Sequence, residues 1–223
     1  MVHDIVSSGF GPGDKLAGEA EMLEHYGVSR ESLREALRLL ESQGLISIKR
    51  GPGGGPVVGS SSPMNLGRTL ALYLHFARVT YAELFTAWEM AEPLLAELAA
   101  RRPDRATLRT ELASWIGGID PTGDDFARIS TAFHETVNRL AANRVLSLVV
   151  PAFTCIITDH VLATFDTRVL HDEISHDHQR VARAIALGRP SAARRLMEAH
   201  VHQVAEFYRS HFSDEMGELV LWR

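Results

Sequence analysis

Histidine is the residue type in this sequence whose number and placement point most directly to chemistry. There are eleven histidines, and imidazole both binds metals and hydrogen-bonds to anions. His178 and His200 lie at helical spacing from apolar residues such as Val181 and Val204. A residue on the apolar face of an amphipathic helix points toward the core, so both histidines are expected to face the protein interior.

The positions of these two histidines about a predicted turn place them at one height of a helical hairpin. His178 and His200 are each eleven residues from Arg189, in the turn Gly188-Arg189-Pro190. At about 1.5 Å per residue, both would lie roughly 16 Å from the turn. His134, on another inward-facing helix, is the candidate third member. Three neutral imidazoles with an open position form a metal site of the zinc or nickel type.

Other interpretations of these histidines stay open. They could hydrogen-bond an anionic ligand directly, or they could be core histidines whose polar atoms are satisfied by neighbours. Three histidines around an open position also describe a metal-dependent hydrolytic enzyme. The sequence shows no inward carboxylate beside them to act as a general base, and this argues against the enzyme.

Three arginines one helical turn apart form a second group, suited to nucleic acid. Arg30, Arg34 and Arg38 follow Ser29, an expected helix N-cap. Apolar residues in the same segment recur at i, i+3, i+4 and i+7, which is typical of an amphipathic helix. They are Leu33, Ala36, Leu37 and Leu40. A helix with arginines beside its apolar face fits the major groove, where guanidinium groups reach base edges and phosphates.

The flanking segments predict a winged helix-turn-helix around this helix. Residues 16–26 read as a short helix, and Gly27 makes the turn into Ser29. Downstream, two short strands are joined by a basic, glycine-rich turn, which can approach a phosphate backbone closely because glycine has no side chain. The residues expected to contact DNA are Ser29, Arg30, Ser32, Arg34, Arg38, Lys49, Arg50, Gly53 and Gly54.

Five motifs follow one another through roughly residues 4–58. They are Gly13-Asp-Lys-Leu16, Tyr26-Gly-Val-Ser-Arg30, Leu33-Arg-Glu-Ala-Leu37, Leu40-Glu-Ser-Gln-Gly-Leu45 and Gly51-Pro-Gly-Gly-Gly55. In this order they resemble the GntR family of bacterial transcription regulators, and the resemblance implies a domain that binds operator DNA. The chain departs from the family in offering few residues for a first helix before Gly13. It also has Ala17-Gly18-Glu19 where the family usually has Pro-Ser-Glu.

After this region the sequence predicts helices only. The candidate helices are 64–77, 81–102, 105–117, 123–142, 145–165, 170–188 and 190–210, separated by breaks at Pro, Gly and Asn. We therefore expect a mostly α fold in four parts. They are a winged helix-turn-helix with a small β wing at 1–58, a linker at 59–63, an all-α antiparallel helical bundle at 64–211 and a tail at 212–223.

Four further motifs lie in the helical half. They are Glu83-Leu-Phe-Thr-Ala-Trp-Glu-Met-Ala-Glu-Pro93, Phe133-His134…Ala142-Asn143, His178…Ala184-Ile185-Ala-Leu-Gly188 and Met197-Glu-Ala-His200. They resemble the effector-binding FCD domain of FadR-type GntR regulators. The resemblance implies a small-molecule effector and a divalent metal held by an Asp and three His. The position of that Asp is occupied by Ser130, and Trp88 stands where the family often has an Arg that helps hold an effector carboxylate.

The resemblance and the face assignments together define the candidate site in this half. The expected metal ligands are His134, His178 and His200, with water or effector oxygens completing the sphere because Ser130 replaces the carboxylate. The expected effector-binding residues are Trp88, Ser130, His134, Asn138, His160, His178 and His200.

Composition limits the partners and the compartment. The net charge is −5, and residues 1–58 carry six basic and eight acidic side chains, so DNA binding must depend on where the bases lie, and two protomers on a two-fold operator are expected. No apolar run approaches the ~20 residues of a membrane span, and the start of the sequence does not read as a secretory signal. The single Cys155 suits a reducing cytoplasm.

These observations predict a ligand-responsive transcription regulator that binds a two-fold operator as a homodimer, with a small organic acid as effector. The alternatives are a metal-dependent enzyme built on the three histidines and a metabolite-binding protein that no longer binds DNA. The winged domain would have no role in an enzyme.

Overall fold

The computed structural model describes residues 1–51, 53–60, 62–118, 126–160, 171–211 and 213–222. The fold is mostly helical with one small antiparallel sheet, which confirms the predicted class. The chain divides into two compact units, Met1–Asn65 and Leu66–Arg223, here called the winged unit and the helical unit. The finer division predicted from sequence, with a linker at 59–63, stays a prediction. Among the described residues, no helix combines the length and apolar character needed to cross a membrane.

Three helices form the body of the winged unit: α1 (Val2–Ser7), α2 (Glu19–Tyr26) and α3 (Arg30–Ser42). Gly27 adopts the left-handed conformation that ends α2 (φ 61°), and the Ser29 hydroxyl caps α3 by accepting from the Ser32 N–H at 3.1 Å. The predicted apolar face is buried at Leu33, Leu37 and Leu40. Helix α1 has six residues.

The wing is an antiparallel hairpin of β1 (Ile46–Lys49) and β2 (Gly55–Val58), with Ile46 opposite Val58 and Lys49 opposite Gly55. A third segment pairs with β2, because Leu16 N–H donates to the Pro56 carbonyl and Val58 N–H donates to the Asp14 carbonyl. This pairing ties the wing to the chain between α1 and α2, a feature that the sequence analysis did not anticipate.

The helical unit is built from nine described helices. They are α4 (Pro63–Phe76), α5 (Tyr81–Arg101), α6 (Arg105–Glu111), α7 (Ala113–Gly117), α8 (Phe126–Leu140), α9 (Leu146–His160), α10 (His171–Ala186), α11 (Pro190–His211) and α12 (Ser213–Met216). The helix predicted at 105–117 is in fact two, because Leu112 leaves the helical conformation (φ −100°, ψ 2°) while its side chain is fully buried.

Helix α5 is the central element of the helical unit. A capping box fixes its start, where the Thr80 hydroxyl accepts from the Glu83 N–H and the Glu83 carboxylate accepts from the Thr80 N–H. Antiparallel α11 runs along it, as the contacts of Glu97 with Arg194 and of Glu89 with His202 show. The predicted tail is not loose, because Val220 is fully buried and its N–H donates to the Val79 carbonyl.

Candidate functional site

The structure brings the three candidate metal ligands together. His134 lies on α8, His178 on α10 and His200 on α11, and their exposed fractions are 6%, 4% and 2%. The Gly188–Pro190 turn between α10 and α11 places the last two at one height, as the equal spacing from Arg189 indicates. We call His134, His178 and His200 the three-histidine centre.

The imidazole nitrogens of the centre converge on one point. Nε2 of His200 lies 3.1 Å from Nε2 of His178 and 3.4 Å from Nε2 of His134, and one ligand atom from each residue lies within 4.8 Å of the others. With metal–nitrogen bonds of about 2.0–2.1 Å, two ligands of a tetrahedral zinc ion are roughly 3.3 Å apart. The two short nitrogen–nitrogen distances therefore match a shared divalent ion.

Carboxylates stand behind two of the three rings. Nδ1 of His134 lies 3.0 Å from Oε2 of Glu92, and Nδ1 of His200 lies 3.8 Å from Oδ2 of Asp177. A carboxylate on the outer nitrogen keeps a proton there and leaves the other nitrogen free to bind a metal. The lone pair of His134 then faces Nε2 of His200 across 3.4 Å, and a cation between the two nitrogens would stabilise this arrangement.

Glu92 corrects the expectation that no inward carboxylate lies beside the histidines. The residue is 1% exposed, and its side chain 2%. Sorting the residues of α8, α10 and α11 into inward and outward faces cannot reveal Glu92, because Glu92 lies on α5. The sequence around Glu92 does carry a signal. Glu92 is a lone acid among Ala91, Pro93, Leu94 and Leu95, in a helix that is apolar on most sides.

Burial favours the neutral, metal-binding form of His178 and His200. Burial and the neighbouring imidazoles lower the pKa of His178 well below its ordinary value. Burial also lowers the pKa of His200, although the nearby Asp177 carboxylate opposes that effect. Since a metal binds the unprotonated ring, these shifts favour coordination over protonation.

Aromatic rings form one wall of the centre. Phe133 stacks on His178 with 4.0 Å between ring centroids, and Trp115 meets the same imidazole edge-on. Trp88, a predicted effector contact, is buried, and its indole N–H donates to Oε1 of Glu92 at 3.2 Å. The single polar hydrogen of Trp88 is therefore directed at Glu92 rather than at a ligand.

The remaining predicted effector residues differ in their burial and in whether their side chains are described. Asn138, one helical turn after His134 on α8, is buried, and its Oδ1 has no hydrogen-bond partner among the described residues. Ser130, one turn before His134, is partly buried. His160 ends α9, and its side chain lies outside the described part of the structure. Their roles toward an effector stay predictions.

The candidate DNA-contacting side chains of α3 lie on its exposed side. Arg30, Ser32, Arg34 and Arg38 are all exposed. The Arg34 side chain is 66% exposed, and its Nε lies 3.6 Å from a carboxylate oxygen of Glu19 on α2. A pair of this kind on the surface contributes little to stability, so Arg34 is available to a phosphate or a base edge.

The wing exposes Lys49 and Arg50 and turns through glycines. Gly53 has φ +76°, and a Cβ on Gly54 would lie 2.2 Å from the Lys49 carbonyl oxygen. Lys15, which the sequence analysis left out of the DNA-contacting set, donates from Nζ to the Gly53 carbonyl at 2.8 Å. Its positive charge therefore lies at the wing, beside Lys49 and Arg50.

Comparison with known proteins adds independent observations. A family model described as "Bacterial regulatory proteins, gntR family" matches residues 1–54, and one described as "FCD domain" matches residues 83–203. The second range contains the whole three-histidine centre together with Glu92, and the first contains α3 and most of the wing.

Two curated relatives match along most of the chain. The HTH-type transcriptional regulator LutR of Bacillus subtilis is 24% identical over 212 residues, which are 92% of this chain and 96% of that protein. The Uxu operon regulator of Haemophilus influenzae is 28% identical over 212 residues, which are 92% of this chain and 77% of that protein. Both are transcription regulators by name.

Among solved structures, Streptococcus agalactiae GntR superposes with a TM-score of 0.65 and 22% identity, covering 92% of this chain and 95% of that one. This likeness shows the fold. The family and its curated relatives are transcription regulators and not enzymes, so the alternative of a metal-dependent enzyme is set aside. Because the FCD match alone spans more than half of the sequence, the chain belongs to the GntR family of bacterial transcription regulators, in the branch that carries an FCD domain.

Proposed function

We propose that this regulator binds a two-fold operator as a homodimer in the bacterial cytoplasm, and that a divalent metal and a small organic acid bound in the helical unit control its affinity for DNA. The observation that carries the proposal is the convergence of three buried Nε2 atoms on one point, with carboxylates behind two of the rings. FCD domains often bind metals, and this donor set fits zinc or nickel.

The DNA-binding half of the proposal rests on the exposed face of α3 and on the wing. Arg30, Arg34 and Arg38 recur at one-turn intervals on a helix whose opposite face is buried. Lys15, Lys49 and Arg50 add positive charge at the wing. In a winged helix-turn-helix, these two elements would contact the major groove and the adjacent backbone.

The effector half rests on the open coordination sphere of the three-histidine centre. Three imidazoles leave at least one position of a divalent ion free. A bound metal would act as a Lewis acid that holds a carboxylate or hydroxyl oxygen of the effector. Oδ1 of Asn138 is buried and has no hydrogen-bond partner among the described residues. Since buried polar atoms are normally hydrogen-bonded, this oxygen would accept from a donor on the effector.

The charge balance of the winged unit supports homodimerisation. The winged unit has more acidic than basic side chains, so a single recognition helix offers few phosphate contacts. Two half-sites about 34 Å apart would double them.

The test combines metal loading with operator binding. A chelator first removes any metal from the purified protein. DNA duplexes that bind are then selected from a random library, once with the metal-free protein and once with the zinc-loaded protein. The best duplex is then titrated with and without zinc and a panel of mono-, di- and 2-hydroxycarboxylic acids. We expect saturable zinc binding and an operator affinity that changes when zinc and one class of acid are both present. Tight operator binding that never responds to metal or acid would contradict the proposed control.

A further inference from the structure

Among the residues whose burial the structure describes, Glu92 is the most enclosed acidic residue beside the three-histidine centre, and both of its side-chain oxygens have hydrogen-bond partners. Oε2 lies 3.0 Å from Nδ1 of His134, and Oε1 accepts from Nε1 of Trp88 at 3.2 Å. Nδ1 and Nε2 lie on opposite sides of an imidazole, so Glu92 contacts the back of His134 and is not itself a ligand of the central point. Its position is that of an orienting group.

The hydrogen-bonding capacity of these groups fixes the proton on His134. A carboxylate accepts at both oxygens. Trp88 N–H satisfies one oxygen, so the other can accept only from Nδ1–H of His134. The neutral ring then carries its lone pair on Nε2, the atom that lies 3.4 Å from Nε2 of His200.

The other two histidines have weaker support. Asp177 is 3.8 Å from Nδ1 of His200, and its side chain is 16% exposed against 2% for Glu92. His178 is enclosed by the rings of Phe133 and Trp115. Three neutral imidazoles bring no negative charge to a divalent ion, and among these contacts Glu92 places a buried carboxylate closest to a ligand ring.

We propose that Glu92 is a positioning residue that, together with Trp88, fixes the Nδ1–H tautomer of His134 and thereby sets the metal affinity of the centre. The inference rests on the proposed metal-binding function. Groups that orient a metal-bound histidine typically contribute about 10- to 100-fold in metal affinity.

Glu92→Gln tests the tautomer directly, because an amide has one acceptor and one donor. If the amide oxygen keeps the Trp88 N–H, the NH₂ group faces Nδ1 of His134 and moves the ring proton to Nε2, where it blocks the metal. If the amide turns over, its NH₂ opposes the Trp88 N–H. Glu92→Gln should therefore weaken zinc binding by about 10- to 100-fold, measured by competition with a chromophoric chelator.

Trp88→Phe supplies the matched rescue. It removes the indole donor while keeping an aromatic ring, so the glutamine oxygen of a Trp88→Phe, Glu92→Gln double variant can turn toward His134. We expect the double variant to bind zinc more tightly than Glu92→Gln alone. A double variant no better than Glu92→Gln would overturn the role of the tautomer.

Two measurements separate positioning from a structural role. Nitrogen NMR of the metal-free protein should show His134 as the Nδ1–H tautomer in wild type and changed in Glu92→Gln, and this wild-type spectrum tests the inference even if a variant fails to fold. The apo melting temperature of Glu92→Gln should stay near that of wild type while the zinc-induced rise shrinks. A lower apo melting temperature with unchanged zinc affinity would overturn the inference.

Failure of the inference is distinguishable from failure of the proposed function. If wild type binds no zinc or nickel, metal control fails and the role of Glu92 fails with it. If wild type binds zinc and Glu92→Gln binds it equally well, only the inference fails. Asp177→Asn is the comparison variant, and its loss should be smaller than that of Glu92→Gln because the Asp177 contact is longer and more exposed.

Discussion

The chemistry of single residues in this regulator depends on what lies behind each functional atom. The three imidazoles of the helical unit have their Nε2 atoms on one point because carboxylates or aromatic rings occupy the other sides of the rings. In the winged unit the reverse holds. The arginines of α3 are exposed, and the buried apolar residues on the opposite face fix which way the helix presents them.

Arg34→Ala should weaken specific operator binding without unfolding the winged unit. The side chain lies outside the buried face of α3, and one good base contact contributes about 1–3 kcal/mol of discrimination per half-site. Fluorescence anisotropy against the selected operator measures the loss. Arg144→Ala, which removes an exposed arginine from the helical unit, is the control. Equal affinities for wild type and Arg34→Ala would remove Arg34 from the operator-contacting set.

His200→Ala should abolish saturable zinc binding. His200 Nε2 makes both of the short nitrogen–nitrogen contacts of the centre. Without it, only His134 and His178 remain as candidate ligands, and neither has the other as a short contact. His202→Ala is the matched control on the same helix, because its side chain is 65% exposed and pairs with Glu89 instead. Inductively coupled plasma analysis of dialysed protein gives the metal content. Zinc retained by His200→Ala at the wild-type level would place the metal elsewhere.

At the scale of elements, the features that could be predicted from sequence are those that hydrophobic periodicity and helix capping determine. The buried face of α3, the Ser29 cap and the α10–α11 turn all follow from local patterns. The approach of Glu92 to His134 joins positions 42 residues apart, and local patterns carry no information about it. The break at Leu112 and the pairing of Lys15 with the wing were missed for the same reason, because tertiary contacts decide them.

Gly54→Ala should damage the wing and leave the rest of the fold intact. The new Cβ would lie 2.2 Å from the Lys49 carbonyl oxygen, so the hairpin turn must open and carry Lys49 and Arg50 away from their positions. We expect lower operator affinity with a nearly unchanged circular dichroism spectrum. Gly11→Ala is the control, because its Cβ would meet only Asp14 at an ordinary 3.8 Å. An unchanged operator affinity in Gly54→Ala would show that the wing does not contact DNA.

For the molecule as a whole, the division into two compact units means that operator binding and metal binding can be assigned to different parts of the chain. Operator binding reports on the winged unit, and metal binding reports on the helical unit. Any dependence of the first on the second is then a coupling free energy between sites, equal in both directions.

The assembly should be a dimer at micromolar concentration, held chiefly by the helical unit. Multi-angle light scattering measures the mass with and without operator. Variants that lack Cys155 and carry one introduced, spin-labelled cysteine in either unit then locate the contact between protomers. Two half-sites about 34 Å apart predict a duplex footprint longer than one helical turn. A monomeric mass under both conditions would exclude the two-fold arrangement.

Zinc should stabilise the helical unit specifically. A ligand that binds only the folded state at a hundred times its Kd adds about 2.7 kcal/mol to the free energy of unfolding. Differential scanning calorimetry should show a higher melting temperature with zinc for wild type and no shift for His200→Ala. A comparable zinc shift in His200→Ala would assign the stabilisation to another site.

The three-histidine centre joins parts of the chain that are far apart along it, since His134 and His200 are separated by 66 residues and His178 and His200 by 22. An ion bound by all three closes two large loops at once, as a pair of disulfides would, but it can be removed. Because the ion would bind the folded chain, in which the three rings already meet, its stabilising effect would depend on its free concentration relative to its Kd. The fraction of unfolded regulator would then rise when metal is scarce, and proteases act on the unfolded chain. Metal supply would in that way set the lifetime of the protein in the cell as well as its affinity for DNA.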